Sequence, residues 1–242
     1  SVFGPDSVGM RQSLVALTFS SLTAVVAGGF LAGMTGTLER NPGLLVLIPA
    51  AIGMRGNIFG ALGSRLATSI HAGTFRMSRR NDSLVIQNAI ATASLSLVTA
   101  LVLAVLTKVL APIFGLSSVI AISDLIVMSV IGSLLSFIVL IAVTLALAAR
   151  SAERGWDLDD VNAPLVSAVG DVVTLPALLV ASLLLEMSNF TVVLSAIVII
   201  ATLVSLGWVR QSRLSLVRLI LWESLPILLA TGIVLVIAGV VI

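Results

Sequence analysis

The residue best suited to chemistry in this sequence is a carboxylate that interrupts an apolar run. Asp171 closes the segment SAVGD inside an otherwise apolar stretch, and an ionisable residue at such a position is a functional candidate. Ser167 precedes it by four residues and therefore shares its helix face, while Asn162 adds an amide oxygen toward the same end. Two nearby prolines free backbone carbonyl groups. A carboxylate, a hydroxyl group and free carbonyls together favour a hard cation, and a structural hydrogen bond or ion pair is the alternative.

A second polar interruption lies in an earlier apolar run, where residues 47–57 read LIPAAIGMRGN. The proline, the glycines, Arg55 and Asn57 predict a broken helix, which is tolerated at membrane depth only where it lines protein or a watery cavity. Transporter substrate sites form at such breaks. We interpret the segment as a pore lining, and tight packing through small residues is the alternative.

Three acids precede the Asp171 run. Asp157, Asp159 and Asp160 form a cluster that predicts a cytoplasmic mouth where the local field attracts cations. A solvated loop is the alternative interpretation.

An enzyme is the weaker interpretation of these residues. Intramembrane aspartyl proteases carry Gly-Asp and Pro-Ala-Leu segments, and this chain has Gly170-Asp171 and Pro176-Ala177-Leu178. Those proteases require two aspartates on different helices, whereas here both segments share one apolar run and no second mid-membrane aspartate is present. We therefore predict that the protein is not an enzyme.

The elements that must position these residues follow from composition. Of 242 residues, 59% are hydrophobic and only 10% are charged, whereas a soluble domain has about 25% charged residues. Soluble and disordered proteins are excluded, so lipid is the predicted solvent. A formal net charge of +2 does not provide the basic patch that binds nucleic acid. The absence of cysteine excludes disulfides and thiolate metal sites.

Seven apolar runs are each long enough to cross a bilayer, which needs about 20 residues. The sequence predicts an all-α polytopic transmembrane helical bundle in the cell membrane, since helices satisfy their own backbone in lipid. The runs are residues 12–36, 43–70, 84–114, 119–149, 163–186, 190–208 and 217–242.

Basic residues predict the orientation of these runs. With simple alternation, nine basic residues fall on one side and about two on the other. We therefore expect a cytoplasmic N-terminus. The nine are Arg11, Arg76, Arg79, Arg80, Arg150, Arg154, Arg210, Arg213 and Arg218.

Two segments resemble the membrane domain of the MgtE magnesium channel family, and more closely its two-repeat eukaryotic solute-carrier branch. Residues 49–57 resemble the family's Pro-Ala-x-x-Gly-x-x-Gly-Asn signature, with Arg55 typical of the solute-carrier branch. Residues 160–171, DVNAPLVSAVGD, resemble its second signature. The resemblance covers residues 12–186.

The resemblance implies a central ion pathway in which Asp171 is the principal Mg²⁺ ligand through retained waters. It also implies a set of metal-site and pore-lining or gating positions. The metal set is Asp171, Ser167, Asn57, Gly53 and Gly56, and the pore-lining or gating set is Arg55, Gly60, Asn162, Gly170 and Thr174.

The resemblance also divides the chain into an N-terminal cytoplasmic segment (1–11), a five-helix unit (12–186), a reorienting helix with linker (187–216) and a helix like the start of a second repeat (217–242). The last run stops without a flanking polar residue, which predicts that the native protein is longer. The expected partners are the lipid bilayer, a second copy or a homologous half, and a separate cytoplasmic regulatory domain.

The predicted function is transport of divalent cations, chiefly Mg²⁺, with Mn²⁺ and Co²⁺ also compatible with oxygen ligands. Two alternatives stay open. Arg55 suits a cation exchanger coupled to Na⁺ or H⁺, and the incomplete second repeat suits a membrane assembly subunit that does not transport.

Overall fold

A computed structural model describes most of the chain as a bundle of helices. The described residues are 7–40, 43–78, 80, 83–113, 115, 120–155, 158–186 and 188–241. None of them lies in a β-strand, which confirms the all-α prediction. In chain order the helices are α1 (Ser7–Gly33), α2 (Thr35–Arg40), α3 (Gly43–His71), α4 (Leu84–Ile113), α5 (Ile122–Arg154), α6 (Leu158–Ser182, extended by a 3₁₀ turn at Leu183–Glu186), α7 (Ser188–Gln211) and α8 (Ser215–Val241).

Each of the seven predicted apolar runs falls on one long helix. Among the described residues, the six helices from α3 to α8 are long and apolar enough to cross a membrane. Helix α1 carries a shorter apolar segment, Leu17–Gly33, at the lower limit of the length needed for a span. The protein is therefore a polytopic membrane bundle.

Helix α3 lies at the centre of the bundle and packs against α4, α5, α6 and α8. Its side chains fill the core: Phe59 and Leu62 are fully buried, and the Phe59 ring lies 5.9 Å from that of Phe137 on α5. Helix α1, in contrast, packs chiefly against α6.

The predicted break in this central helix is wrong. Helix α3 is continuous from Gly43 to His71, with Pro49 inside it. Pro49 lies in the second turn, where it removes only one intrahelical hydrogen bond near the helix start. In lipid no water replaces lost backbone hydrogen bonds, so the chain retains the helix, and its glycines serve close packing instead of a break.

The long helices alternate in direction. The connections from α3 to α4, from α5 to α6 and from α7 to α8 therefore lie at one end of the bundle. Near this end Arg65 of α3 donates to Asn88 of α4, Asn162 of α6 lies against Gly63 of α3, and the hydroxyls of Ser94 and Ser205 approach to 3.4 Å. We call it the basic end, because it holds most of the arginines that predict the cytoplasmic side. Its exposed members are Arg76, Arg80, Arg150, Arg154, Arg210, Arg213 and Arg218.

Helix α8 runs antiparallel along α3 with almost no space between the two backbones. A Cβ atom at Gly239 would lie 2.8 Å from the backbone oxygen of Val46. At the next contact, a Cβ at Gly53 would lie 2.7 Å from Leu235 Cδ2. Small residues permit this approach, as is usual between membrane helices.

Candidate functional site

Asp171 lies at mid-length of α6, thirteen residues after the helix begins at Leu158. Its side chain is partly buried, and Ser167, one turn earlier on the same face, is exposed. Two residues close to Asp171 on the same helix are buried. Gly170 packs toward Leu140 of α5, and Thr174 is fully buried. Asp171 and Ser167 therefore form the accessible polar strip of α6.

Two further oxygens on α6 are buried without a hydrogen-bond partner among the described residues. They are Oγ1 of Thr174 and Oδ1 of Asn162. Such groups are uncommon in folded proteins and invite an explanation. Both belong to the predicted pore-lining or gating set, and both present an oxygen to the interior of the bundle.

The contact between Asn162 and Gly63 sets the register of α6 against α3. A Cβ at Gly63 would overlap the Asn162 amide, so glycine leaves the space that this side chain occupies. Counting at 1.5 Å per residue along the antiparallel helices from this contact places Asp171 level with residue 54 of α3. Counting through α5 from the Phe59–Phe137 and Gly170–Leu140 contacts places it near residue 61. Asp171, the end of the second signature, therefore lies within about one to two helical turns of Gly56 in depth.

The predicted residues of α3 point in three directions. Gly53 faces α8 and is covered by Leu235, whereas a Cβ at Gly56 or at Gly60 would meet no neighbour within 4 Å. We call the surface at Gly56 and Gly60 the open glycine strip. Asn57 is exposed beside it and lines a groove of about 370 Å³ shared with α4 and α8.

Arg55 points away from the open glycine strip, into the interface of α3 with α4 and α5. It is only 5% exposed, and its Nη1 has no hydrogen-bond partner among the described residues. Around it lies a cavity of about 10 Å³ whose lining includes Thr99, Ser129 and Ser133. That volume corresponds to about one water molecule.

This geometry predicts an unusual effect on stability. Replacing Arg55 with Met should raise the free energy of unfolding by about 1–3 kcal/mol, because an unsatisfied buried polar group is removed. Arg65→Met is the matched control. It also removes an unpartnered buried nitrogen, Nη2, but it breaks the hydrogen bond from Arg65 Nε to Oδ1 of the buried Asn88 at 2.7 Å, so we expect it to be less stable than Arg55→Met. Titration with SDS measures the free energy of unfolding of both variants. A loss of stability in Arg55→Met would show that a bound group satisfies the guanidinium.

The hydroxyl groups around Arg55 are the residues that sequence reasoning missed. Ser129 donates to the backbone oxygen of Ala100 at 2.7 Å, and Ser133 approaches that of Ser96 at 3.4 Å. Serine and threonine are common at contacts between membrane helices, so they carried no functional signal by type. Their four-residue spacing on α5 would have indicated a shared polar face.

The predicted acidic mouth is only partly described. Asp157 lies outside the described residues, whereas Asp159 and Asp160 lie in the first turn of α6 and their side chains are outside the described part. The positions agree with the predicted end of the bundle, since α6 begins at the basic end. Their role stays a prediction.

The described side chains do not enclose a metal ion by themselves. Within the described ranges no group of three or more His, Cys, Asp or Glu residues is close enough to hold one. Mg²⁺ retains several waters and is bound by one or two carboxylates. A single carboxyl group with a hydroxyl group one helical turn away, as in Asp171 and Ser167, therefore suits a hydrated cation.

Comparison with known proteins identifies the family. A family model described as "MgtE: Divalent cation transporter" matches residues 48–181, more than half of the chain. The chain belongs to the MgtE family. The matched region runs from α3 to α6 and includes Arg55 and Asp171, whereas α8 lies beyond it.

The MgtE-family relatives are solute carriers, which confirms the resemblance to that branch. Solute carrier family 41 member 2 of Xenopus laevis is 26% identical over 187 residues, covering 69% of this chain and 32% of that protein. The mouse protein of the same name is 31% identical over 144 residues, covering 56% and 24%, and the human one is 29% identical over 144 residues. This chain thus spans about a quarter to a third of their length. No solved structure matches it.

Proposed function

We propose that this chain forms a pathway for divalent cations, chiefly Mg²⁺, across the cell membrane. The observation that carries the proposal is a carboxyl group at mid-length of a membrane helix, Asp171 on α6, within a segment that the MgtE family model matches. A charge at this depth is costly and is retained where ions pass. Mn²⁺ and Co²⁺ accept the same oxygen ligands.

The pathway runs between the accessible strip of α6 and the open glycine strip of α3. Asp171 and Ser167 offer side-chain oxygens from α6. Asn57, which lines the groove shared with α4 and α8, offers one at the side of the open glycine strip of α3. Gly53 contributes through its backbone once a shift of α8 moves Leu235 off it. Asn162, Gly170 and Thr174 form the packed wall behind the carboxyl group.

The surface that completes the pathway comes from a second copy of this chain or from a homologous half. Within the described part of the chain nothing lies within 4 Å of a Cβ placed at Gly56 or Gly60, and small residues in a membrane helix favour a close partner. A second protomer also supplies a second carboxyl group, which gives the one or two that Mg²⁺ requires. In this assembly the basic end faces the cytoplasm, and Asp157, Asp159 and Asp160 draw cations to that mouth.

The proposal is tested by measuring Mg²⁺ uptake into proteoliposomes that contain the purified chain and a trapped Mg²⁺-sensitive fluorophore. We expect uptake above that of protein-free liposomes, driven by the Mg²⁺ gradient alone. A correctly folded chain without uptake would contradict the proposal and favour the assembly subunit. Parallel assays with Mn²⁺ and Co²⁺ determine the selectivity.

A second candidate function is cation exchange coupled to Na⁺ or H⁺. Arg55 favours it, because a buried positive charge at the level of the cation pathway opposes free cation flow unless the surrounding helices rearrange. Uptake that rises with an imposed Na⁺ or pH gradient supports exchange. Uptake that ignores both gradients supports the channel-like pathway.

A further inference from the structure

A groove between α7 and α8 at the basic end has the features of a lipid site. The two helices are joined by only three residues, 212–214, yet α7 packs chiefly against α5 and α8 chiefly against α3 and α4. The gap between them is a cavity of about 280 Å³, which we call the α7–α8 groove. It is lined by Leu206, Gly207, Val209, Arg210, Leu221, Trp222 and Leu225.

The lining of this groove changes from apolar to basic along its length. Leu206, Leu221 and Leu225 form the apolar wall. Next to it, Arg218 lines a second groove of about 460 Å³ that shares Trp222 with the first. An acyl chain therefore fits the leucine wall while a charged headgroup reaches the arginines.

Charge determines which headgroup fits. Arg210, Arg213 and Arg218 are all exposed around the helix connection. Glu223, also exposed, is the only acid in the sequence between residues 188 and 242. The surface is therefore net positive, and basic pockets between membrane helices on the cytoplasmic side bind anionic headgroups.

Two tryptophans place the groove at the membrane boundary. Trp208 is 52% exposed and Trp222 is 63% exposed, and tryptophan concentrates at the level of lipid headgroups. The arginines follow or precede them within one or two helical turns. The polar and apolar parts of the groove thus match the polar and apolar parts of a phospholipid in depth.

We propose that the α7–α8 groove binds an anionic phospholipid, with one acyl chain against Leu206, Leu221 and Leu225 and the phosphate at Arg210 and Arg218. This site is separate from the cation pathway on α3 and α6, and it does not depend on the proposed function. A zwitterionic lipid would fill the apolar part without gaining from the arginines.

The test uses Trp222 as a reporter of lipid contact. The full chain with Trp156→Phe and Trp208→Phe is placed in phosphatidylcholine nanodiscs, and phosphatidylglycerol with brominated acyl chains is added. Bromine quenches tryptophan fluorescence on contact, so binding lowers Trp222 emission. We expect brominated phosphatidylglycerol to quench at several-fold lower mole fraction than brominated phosphatidylcholine, by about fivefold per engaged arginine.

Two variants separate the headgroup from the acyl chain. Arg210→Gln with Arg218→Gln should remove the preference for phosphatidylglycerol, whereas the control Arg76→Gln with Arg150→Gln removes the same charge elsewhere at the basic end and should preserve it. Gly207→Leu should reduce quenching with all arginines present, because a Cβ at Gly207 meets no neighbour and the larger side chain fills the groove.

The proposal is overturned if both brominated lipids quench equally, or if the control pair removes the preference as fully as the groove pair does. Glycerophosphate without acyl chains is the final comparison. If it competes as well as phosphatidylglycerol does, the site binds a phosphate group and the lipid proposal is wrong. If it does not compete, the acyl chain contributes as proposed.

Discussion

Replacing Asp171 with Asn should abolish Mg²⁺ flux through this protein while leaving it folded. The substitution preserves the shape of the side chain and removes the charge, so the helix packing of α6 is retained. Loss of outer-shell partners alone costs metal sites about 10–100-fold, and loss of the carboxyl ligand should therefore reduce flux by more than about 100-fold. Uptake of Mg²⁺ into proteoliposomes and the thermal midpoint of the same sample measure both parts of the prediction.

The matched control is Asp124→Asn. Asp124 is partly buried in the first turn of α5, at the end of the bundle opposite the basic end. The substitution therefore removes one carboxylate that lies outside the proposed pathway. We expect it to retain most of the flux. Flux in Asp171→Asn equal to that of the unaltered protein would refute the role of this carboxyl group.

Replacing Gly239 with Ala should destabilise the bundle, although alanine is the better helix former. A Cβ at this position would lie 2.8 Å from the backbone oxygen of Val46 and 3.3 Å from its Cα. Backbone atoms of a packed helix cannot give way as a side chain can, so α8 must move off α3. Overpacking of this kind costs about 1–3 kcal/mol, which exceeds the gain in helix propensity of about 1 kcal/mol.

Gly232→Ala on the same helix provides the comparison. Its Cβ would meet Met54 Cε at 3.2 Å, and the end of a methionine side chain adjusts readily. We expect this variant to be as stable as the unaltered protein or slightly more stable. Titration with SDS should then rank Gly239→Ala well below Gly232→Ala, and equal unfolding midpoints would contradict the close α3–α8 contact.

The fold was largely predictable because hydrophobic length is the dominant signal in a membrane chain. The predicted run 43–70 coincides with α3 (Gly43–His71), and the predicted run 84–114 coincides with α4 (Leu84–Ile113). They coincide because every lipid-spanning segment must satisfy its own backbone hydrogen bonds. The same requirement explains the failed prediction of a break at Pro49. Composition suggested an interruption, but a single proline in the second turn is less costly than unpaired backbone in lipid.

The direction in which each polar residue points was not predictable from the sequence. In a soluble helix the apolar stripe identifies the buried face, but lipid-facing and protein-facing surfaces of a membrane helix are equally apolar. Gly53 and Gly56 are therefore alike in sequence, yet one is covered by Leu235 of α8 and the other faces open space. For the same reason Arg55, predicted as a pore-lining or gating residue, was not expected to point into the α4–α5 interface.

The isolated position of α1 has a consequence for biosynthesis. Its main packing partner in the bundle is α6, which begins roughly 125 residues after α1 ends. At about 5–20 residues per second, the ribosome needs roughly 6–25 s to produce that partner. During this interval α1 lacks its main packing partner. Its apolar side chains remain exposed even in the finished bundle, among them Leu22 and Val25. Lipid must therefore cover most of its surface both before and after α6 is synthesised.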